Sequence, residues 1–324
     1  MDFAIKNIVI ATVIFGTILV IIFENRNPVK TIAWCMVLTF MPVIGLLLYI
    51  LFGMDNRHRR QIKDEDLSRL KGITEITQSD DILSEMPVPQ KPLADMLSKM
   101  NKSFLLSGND VEIITDFQTM SDRLIADIEG ARHHINMLFF KFEDDAAGRR
   151  IADALIRKSE EGVLVRLIYD DAGNLMVPRR FYRKLRKHGI QVRGFIRIFL
   201  PILSRDYNSR NHRKVVVIDG RVGYMGGMNI AQRYAEGLKW GIWRDTHMRI
   251  TGPAVSELQT SFLTDWKFTK GDEPDLAPMY PYNPPCGNTL MQIVTGGPMD
   301  KWNVMMQAYM TAIASARHHA YLQS

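Results

Sequence analysis

The chain has 324 residues, is 46% hydrophobic and 23% charged, and carries a formal net charge of +6 with a pI near 9.2. That composition excludes a disordered or collagen-like chain and leaves room for one large or two ordinary domains. The two cysteines, Cys35 and Cys286, exclude a disulfide framework and fit a reducing compartment. The basic balance favours an anionic partner, with nucleic acid and anionic lipid both eligible on charge alone.

Residues 8–23 are an unbroken run of apolar, Thr and Gly residues, and residues 31–54 are a second run without a charge. The second is long enough to cross a bilayer at about 20 residues per span. The first reaches that length when residues 3–7 are counted, with Lys6 snorkelling. A cleaved signal peptide accounts for the first run but not the second. Residues 1–54 are therefore predicted to form a hairpin of two membrane helices, in which Pro42 and Gly45 are tolerated. Arg57, Arg59, Arg60 and Lys63 follow the second run, whereas the linker carries only Arg26 and Lys30 with Glu24. The positive-inside rule then places residues 55 onward in the cytoplasm of a multi-pass cell-membrane protein. Such a hairpin favours lipid over nucleic acid as the anionic partner.

Residues 55–109 read as a basic and polar connecting segment, with Asp80-Asp81, Pro87-Val88-Pro89 and a short helix over 92–100. From Asp110 the pattern alternates: strand 111–115, capped helix 121–131, strand 135–142, helix 147–161, strand 163–169, helix 178–188, strand 190–195. This is an α/β pattern with a central sheet, assigned to a domain over 110–270. The helix over 178–188 carries Arg179, Arg180, Arg183, Lys184, Arg186 and Lys187, a basic face either solvated or laid against anionic headgroups. Residues 196–203, apolar except for Arg197 and interrupted by Pro201, form either core or an interfacial loop.

His212, Lys214 and Asp219 form an H-x-K-x4-D element, followed by Gly226-Gly227-Met228-Asn229. Residues 214–218 are β-branched and apolar enough for a strand, whose alternation points His212 and Lys214 the same way. Asp219-Gly220 is a two-residue hairpin signal, so 221–226 returns as a partner strand and brings the glycines and Asn229 beside His212. The residue types suit a phosphodiester. His212 is an imidazole able to attack phosphorus while neutral at pH 7, and Lys214 is a point charge. Asn229 is a neutral donor, and Gly226 and Gly227 let backbone N–H groups approach a phosphate. Alternation puts Asp219 on the opposite face from His212, which leaves it a turn-capping or a chemical role. Residues 243–250 read as a strand with a polar start on which Asp245 and His247 share a face. Asp245 is either the carboxylate that fixes the His212 tautomer or an ion-pair partner of Arg244 or Arg249.

Ala131-Arg132-His133-His134 recurs as Ala316-Arg317-His318-His319, each after a strand-like run, 111–115 and 291–295, and a helical pattern. This reads as a duplicated unit in which the His pairs mark helix-to-strand junctions. The offset of 185 residues between Ala131 and Ala316 puts a second H-x-K-x4-D beyond residue 324. Residues 271–324 are thus expected to be a linker and the start of an incomplete second repeat, and the chain reads as truncated.

Taken together, the chain resembles the bacterial cardiolipin synthases of the phospholipase D superfamily. The resemblance rests on Glu24-Asn25-Arg26-Asn27-Pro28, Thr31-Ile32-Ala33-Trp34 and Pro42-Val43-Ile44-Gly45 near the start. Further on it rests on Tyr169-Asp170-Asp171, Asn211-His212-Arg213-Lys214, the run from Gly223 to Ile230, Trp243-Arg244-Asp245-Thr246-His247 and Gly252-Pro253-Ala254-Val255. It implies a phospholipase D-like α/β sandwich. His212, Lys214 and Asp219 then correspond to the HKD motif, with His212 as a nucleophile that forms a phosphatidyl-histidine, and Lys214 and Asn229 holding the phosphate. Phosphatidylglycerol and other anionic phospholipids are the implied partners, and no metal, cofactor or nucleic acid is expected. The family carries two such motifs in one active site. The missing one would come from another subunit of a homodimer, or the chain alone would be an inactive half-enzyme. A membrane-bound hydrolase using water as acceptor, and a nuclease dimerising single-motif chains, use the same residues.

Overall fold

The computed structural model describes residues 2–23, 28–53, 90–196, 210–239, 241, 243–297 and 303–322. The basic cluster at 57–63 and residues 197–203 of the apolar run lie outside them. The chain divides into two compact units, one holding the N-terminal helices and one the sheet with its helices.

In the N-terminal unit α1 (Asp2–Phe23), α2 (Pro28–Phe40) and α3 (Pro42–Leu48) are followed by a π-helical turn, Tyr49–Gly53. Ile21, Leu38 and Tyr49 are buried against Ile14, Ile18, Trp34, Cys35 and Leu46. The outward positions, among them Ile8, Phe15, Phe23, Ile32, Phe40 and Leu47, remain apolar and exposed. The hydroxyls of Thr12, Thr17 and Thr39 each donate to the carbonyl four residues back in their own helix. The second predicted span is not one continuous helix. Pro42 has no N–H to donate and restricts Met41, so α2 ends at Phe40. Beyond the break Gly45 lies against the Val37 carbonyl, where a Cβ would come within 2.7 Å. Among the described residues no helix is long and apolar enough to cross a membrane.

The second unit opens with α4 (Lys91–Asn101), β1 (Leu105–Ile114) and α5 (Phe117–Gly130). A βαβαβ run follows: β2 (His134–Phe139), α6 (Ala146–Glu160), β3 (Leu164–Tyr169), α7 (Arg179–Lys187) and β4 (Gln191–Gly194). Next come β5 (Lys214–Ile218), β6 (Val222–Gly226), α8 (Gln232–Glu236), β7 (His247–Thr251) and α9 (Val255–Phe268). The last elements are β8 (Thr289–Gln292) and α10 (Val304–Ser315). One eight-stranded sheet has the order β4-β3-β2-β5-β6-β7-β1-β8. Its β2, β3 and β4 are parallel, and every other pairing is antiparallel.

The sheet is covered on both faces, so its central strands are largely buried and mostly apolar, with His134, Asn136 and Arg166 as the buried polar exceptions. Ile135, Met137 and Phe139 pack with Met120, Leu124 and Ile128 of α5 and Ile151 and Leu155 of α6. On the other face Leu138 and Ile168 meet Phe262 and Trp266 of α9, and Val217 meets Leu258. The predicted α/β sandwich is therefore present, with shifted boundaries. β1 begins at Leu105 and α4 buries Ala94 and Leu97, so part of the expected connecting segment belongs to the folded unit. α5 starts at Phe117 because the Asp116 carboxylate accepts the Thr119 N–H and caps it.

β8, where the second repeat is expected to open, pairs antiparallel with β1. The helices before the two Ala-Arg-His-His strings, α5 and α10, both end on an alanine, with Ala131 N–H on Ile128 O (3.1 Å) and Ala316 N–H on Ile313 O (3.2 Å). After Ala131 the chain enters β2, and His133-His134 is the helix-to-strand junction; residues 317–322 form no strand.

Candidate functional site

The carboxyl ends of β2 and β3 meet the start of β5: Phe139 pairs with Lys214, and Asp170 N–H donates to Phe139 O. This end of a parallel sheet, where strand direction changes, is where α/β folds place ligands. His212 arrives on a loop clamped on both sides. The buried Asp170 carboxylate accepts the N–H groups of Asn211 (2.8 Å) and Gly173 (2.8 Å). On α9, Asp265 accepts Asn211 Nδ2 (2.9 Å) and Arg213 Nη1 (2.6 Å), and Arg213 Nη2 donates to Gly296 O (3.0 Å). With its flanking residues held, His212 projects to solvent, its ring against Phe140 at 4.5 Å.

Lys214 is only 3% exposed. Its Nζ donates to His212 O at 2.7 Å and lies 3.2 Å from His212 Nδ1. Burial pushes the Lys214 pKa down to about 8, opposed by the Asp245 and Asp170 carboxylates, so it stays charged at pH 7. Burial and the Lys214 charge hold His212 below the ordinary histidine range, so its imidazole is neutral at pH 7. A neutral nucleophile beside a buried cation is suited to attack on an anionic phosphodiester.

Asn229 is tied to the segment after β2 that carries Phe140. Its Oδ1 accepts Lys141 N–H (3.1 Å) and its Nδ2 donates to Tyr234 Oη (2.8 Å), so it fastens that segment with one of its two amide hydrogens. Gly226 and Gly227 serve differently from the predicted phosphate approach. A Cβ on Gly226 would come 2.5 Å from Thr246 O, and one on Gly227 would come 2.0 Å from Asp245 Oδ1. The Gly227 N–H is itself bonded to Thr246 O at 2.8 Å. These glycines let β6 lie against the residues before β7.

Asp245 precedes β7, which starts at His247, and its Oδ1 accepts the Thr246 N–H. It lies close enough to favour the charged forms of His212 and Lys214, but the His212 Nδ1 faces Lys214. Nor does Asp245 take the alternative partner Arg249. Arg249 binds Asp127, Nε to Oδ2 at 2.7 Å and Nη2 to Oδ1 at 3.0 Å, and Tyr224 Oη bonds the same carboxylate. His247 is wholly buried, with neither ring nitrogen hydrogen-bonded among the described residues, and burial pushes its pKa down to about 3.

Asp219 is not brought to the others. It stands at the far end of β5, about 16 Å along the strand from Lys214 at roughly 3.3 Å per residue. Its carboxylate accepts the N–H groups of Arg132, His133 and His134, each at 2.8 Å. With φ of 52° at Asp219 and 63° at Gly220, the turn has the doubly positive form of a type I′ hairpin. Asp170, Asn211, Arg213, Asp265 and Phe140 complete the site, and sequence reasoning does not single them out. Only the Tyr169-Asp170-Asp171 and Asn211-His212-Arg213-Lys214 strings hint at any of them. Among the described residues no His, Cys, Asp or Glu cluster has metal-binding geometry.

Residues 124–266 match the family model described as cardiolipin synthase, phospholipase D-like domain, and residues 12–53 match the phospholipase D-nuclease N-terminal model. The major cardiolipin synthase of Bacillus subtilis is 36% identical over 99% of this chain and 68% of its own length. The cardiolipin synthase of Oceanobacillus iheyensis is 34% identical over 94% of this chain and 65% of its own. The chain thus spans about two thirds of the length of these relatives. The solved phosphatidylserine synthase of Haemophilus influenzae superposes with a TM-score of 0.43 at 20% identity, over 53% of this chain and 40% of that one, a likeness too slight to add weight. On the near full-length identity to curated relatives, this chain belongs to the bacterial cardiolipin synthases with a phospholipase D-like domain.

Proposed function

We propose that the chain catalyses phosphatidyl transfer between two phosphatidylglycerol molecules, giving cardiolipin and glycerol. The observation that carries this is the neutral His212 ring against the buried Lys214 ammonium, at 3.2 Å, on a loop clamped by Asp170 and Asp265. A lone pair of the imidazole attacks the phosphorus of the first lipid, a P–N bond forms, and the P–O bond to the headgroup glycerol breaks. Lys214 and the spare Asn229 hydrogen hold the phosphate oxygens as charge develops on them. Attack from Nε2 requires the proton on Nδ1, so the ring turns off Lys214 toward Asp245, the nearby carboxylate able to accept that proton's hydrogen bond. The hydroxyl of the second phosphatidylglycerol then displaces His212.

Proton delivery to the leaving glycerol, and removal from the incoming hydroxyl, is assigned to a second HKD motif supplied by a completed repeat or a partner copy. Support comes from α10. Counted back from the second Ala-Arg-His-His, Met305, Tyr309 and Ile313 are 39%, 55% and 56% exposed where Met120, Leu124 and Ile128 of α5 are buried. A completed repeat would cover α10 as β2 and α6 cover α5.

The apolar outer surface of α1–α3 and the self-bonded threonine hydroxyls support a membrane-embedded N-terminal hairpin, because groups in lipid must be satisfied internally. The charge after it supports a cytoplasmic body. A reporter fused after Lys63 should read cytoplasmic and one in the 24–30 linker should not. The activity test supplies vesicles of phosphatidylglycerol: cardiolipin and glycerol in equal amounts support transfer, whereas phosphatidic acid as the sole lipid product would make the chain a hydrolase.

A further inference from the structure

The loop between β3 and α7 is built into the site. Asn174 Nδ2 donates to the carbonyls of Phe140 and Asp170, both at 2.7 Å, and its Oδ1 accepts the Phe142 N–H at 2.9 Å. Phe140 carries the His212 ring, and Asp170 holds Asn211. This anchored base leaves the loop's tip outside: Leu175 is 46% exposed and Met176 95%, more than any other large apolar side chain among the described residues.

The chain passes directly from that tip into α7. Phe181, Tyr182 and Leu185 are buried, Tyr182 stacking on Tyr169 at 3.9 Å and donating its hydroxyl to Phe142 O at 3.0 Å. That anchoring turns Arg179, Arg180, Arg183 and Lys187 to solvent. Lys184 pairs with Asp153 and Arg186 bonds Val192 O, but Arg179, Arg180, Arg183 and Lys187 have no ion-pair partner among the described residues. An exposed apolar side chain is ordinary by itself. An apolar tip next to unneutralised cations, on the rim of a site for an anionic phosphodiester, has a specific complement. Nucleic acid would use the cations and leave the tip in water, whereas a bilayer surface takes both.

We propose that the β3–α7 loop and the first turns of α7 dock on an anionic phospholipid bilayer. Leu175 and Met176 enter the interface, and Arg179, Arg180 and Arg183 lie among the lipid phosphates. The inference rests on the reading of a membrane phospholipid as substrate and adds the surface by which the site meets it. Docking sets the Phe140 and His212 end of the sheet at headgroup level, so a lipid reaches His212 without leaving its leaflet.

The test uses the full chain with Cys35→Ser, Cys286→Ser and Met176→Cys, carrying an environment-sensitive fluorophore at 176. It is reconstituted into vesicles of phosphatidylcholine alone or mixed with phosphatidylglycerol. In the anionic vesicles the probe should be quenched by lipid-borne nitroxides and shielded from an aqueous quencher, and in neutral vesicles the reverse. Arg179→Gln with Arg180→Gln and Arg183→Gln should lower the docked-to-free ratio on the order of 100-fold, as expected for three cations at such a surface. A probe in water in both lipids, a probe equally shielded in both, or shielding on neutral vesicles only when duplex DNA is added would each overturn the proposal. Cardiolipin is followed in the same vesicles. A shielded probe without cardiolipin would support docking and count against transfer. Cardiolipin made at an unchanged rate with the probe in water would overturn docking and leave transfer standing.

Discussion

The two ends of β5 carry the two halves of one sequence motif and use their charges in opposite ways. At the start, the Lys214 ammonium is buried without a carboxylate in ion-pair contact among the described residues, and its pKa is pushed down to about 8. At the finish, the Asp219 carboxylate accepts three backbone N–H groups from the α5–β2 junction. A buried cation with no carboxylate in contact is a latent binding site for an anion, whereas a carboxylate saturated by backbone donors serves the fold. Fixed spacing in a motif therefore implies a shared strand, not a shared chemical task.

Substitutions at the start of β5 should cost the most activity. His212→Ala should lower phosphatidyl transfer by about 10⁴-fold or more, with little change in melting temperature because the side chain is exposed. Lys214→Met should lower it by about 10²- to 10³-fold while leaving stability equal or higher, since an apolar chain replaces a buried charge. Transfer assays beside thermal melts check both, and a Lys214→Met protein of full activity would show that the buried ammonium does not hold the phosphate. Next in size is Asp219→Ala, which should cost about 2 kcal/mol of stability from lost charged hydrogen bonds and the left-handed turn. Transfer per folded molecule should stay near the unsubstituted level. A stable Asp219→Ala protein without activity would return Asp219 to the chemistry.

The smallest effect is the pH profile. Lys214 must be charged, so transfer should fall as pH rises through about 8. His212 must be neutral, so it should also fall as pH drops through a value below the ordinary histidine 6.5. Lys214→Arg should move the alkaline limb upward at reduced rate, and an unmoved limb would assign it to another group.

The comparison of α5 with α10 shows how much is legible in the chain. Each helix has a side-chain N-cap, Asp116 or Asn303, an apolar period and an alanine end, and each forms as its pattern predicts. What covers the apolar face is not written in the helix itself. Leu124 and Tyr309 stand at the same distance before their Ala-Arg-His-His strings, so spacing alone would bury both, yet Leu124 is buried and Tyr309 is exposed.

Strand and helix order, the β5–β6 hairpin and the nearness of His212 and Lys214 follow from periodicity and turn chemistry, which are local. The clamp on His212 joins Asp170 on the β3 loop to Asp265 on α9, partners far apart in the chain whose meeting depends on how α9 crosses the sheet. The role of Gly227 is hidden from the sequence for the same reason, since what its missing Cβ makes room for is Asp245 on the approach to another strand.

Covalent chemistry at His212 can be read from the mass of the peptide that carries it. Protein inserted in phosphatidylglycerol vesicles is quenched during turnover, digested and analysed under conditions that preserve phosphorus–nitrogen bonds. A phosphatidyl adduct should appear on His212, disappear when excess phosphatidylglycerol is chased through and never form in His212→Ala. Cardiolipin formed with no adduct at His212, or an adduct on another residue that survives His212→Ala, would contradict that chemistry.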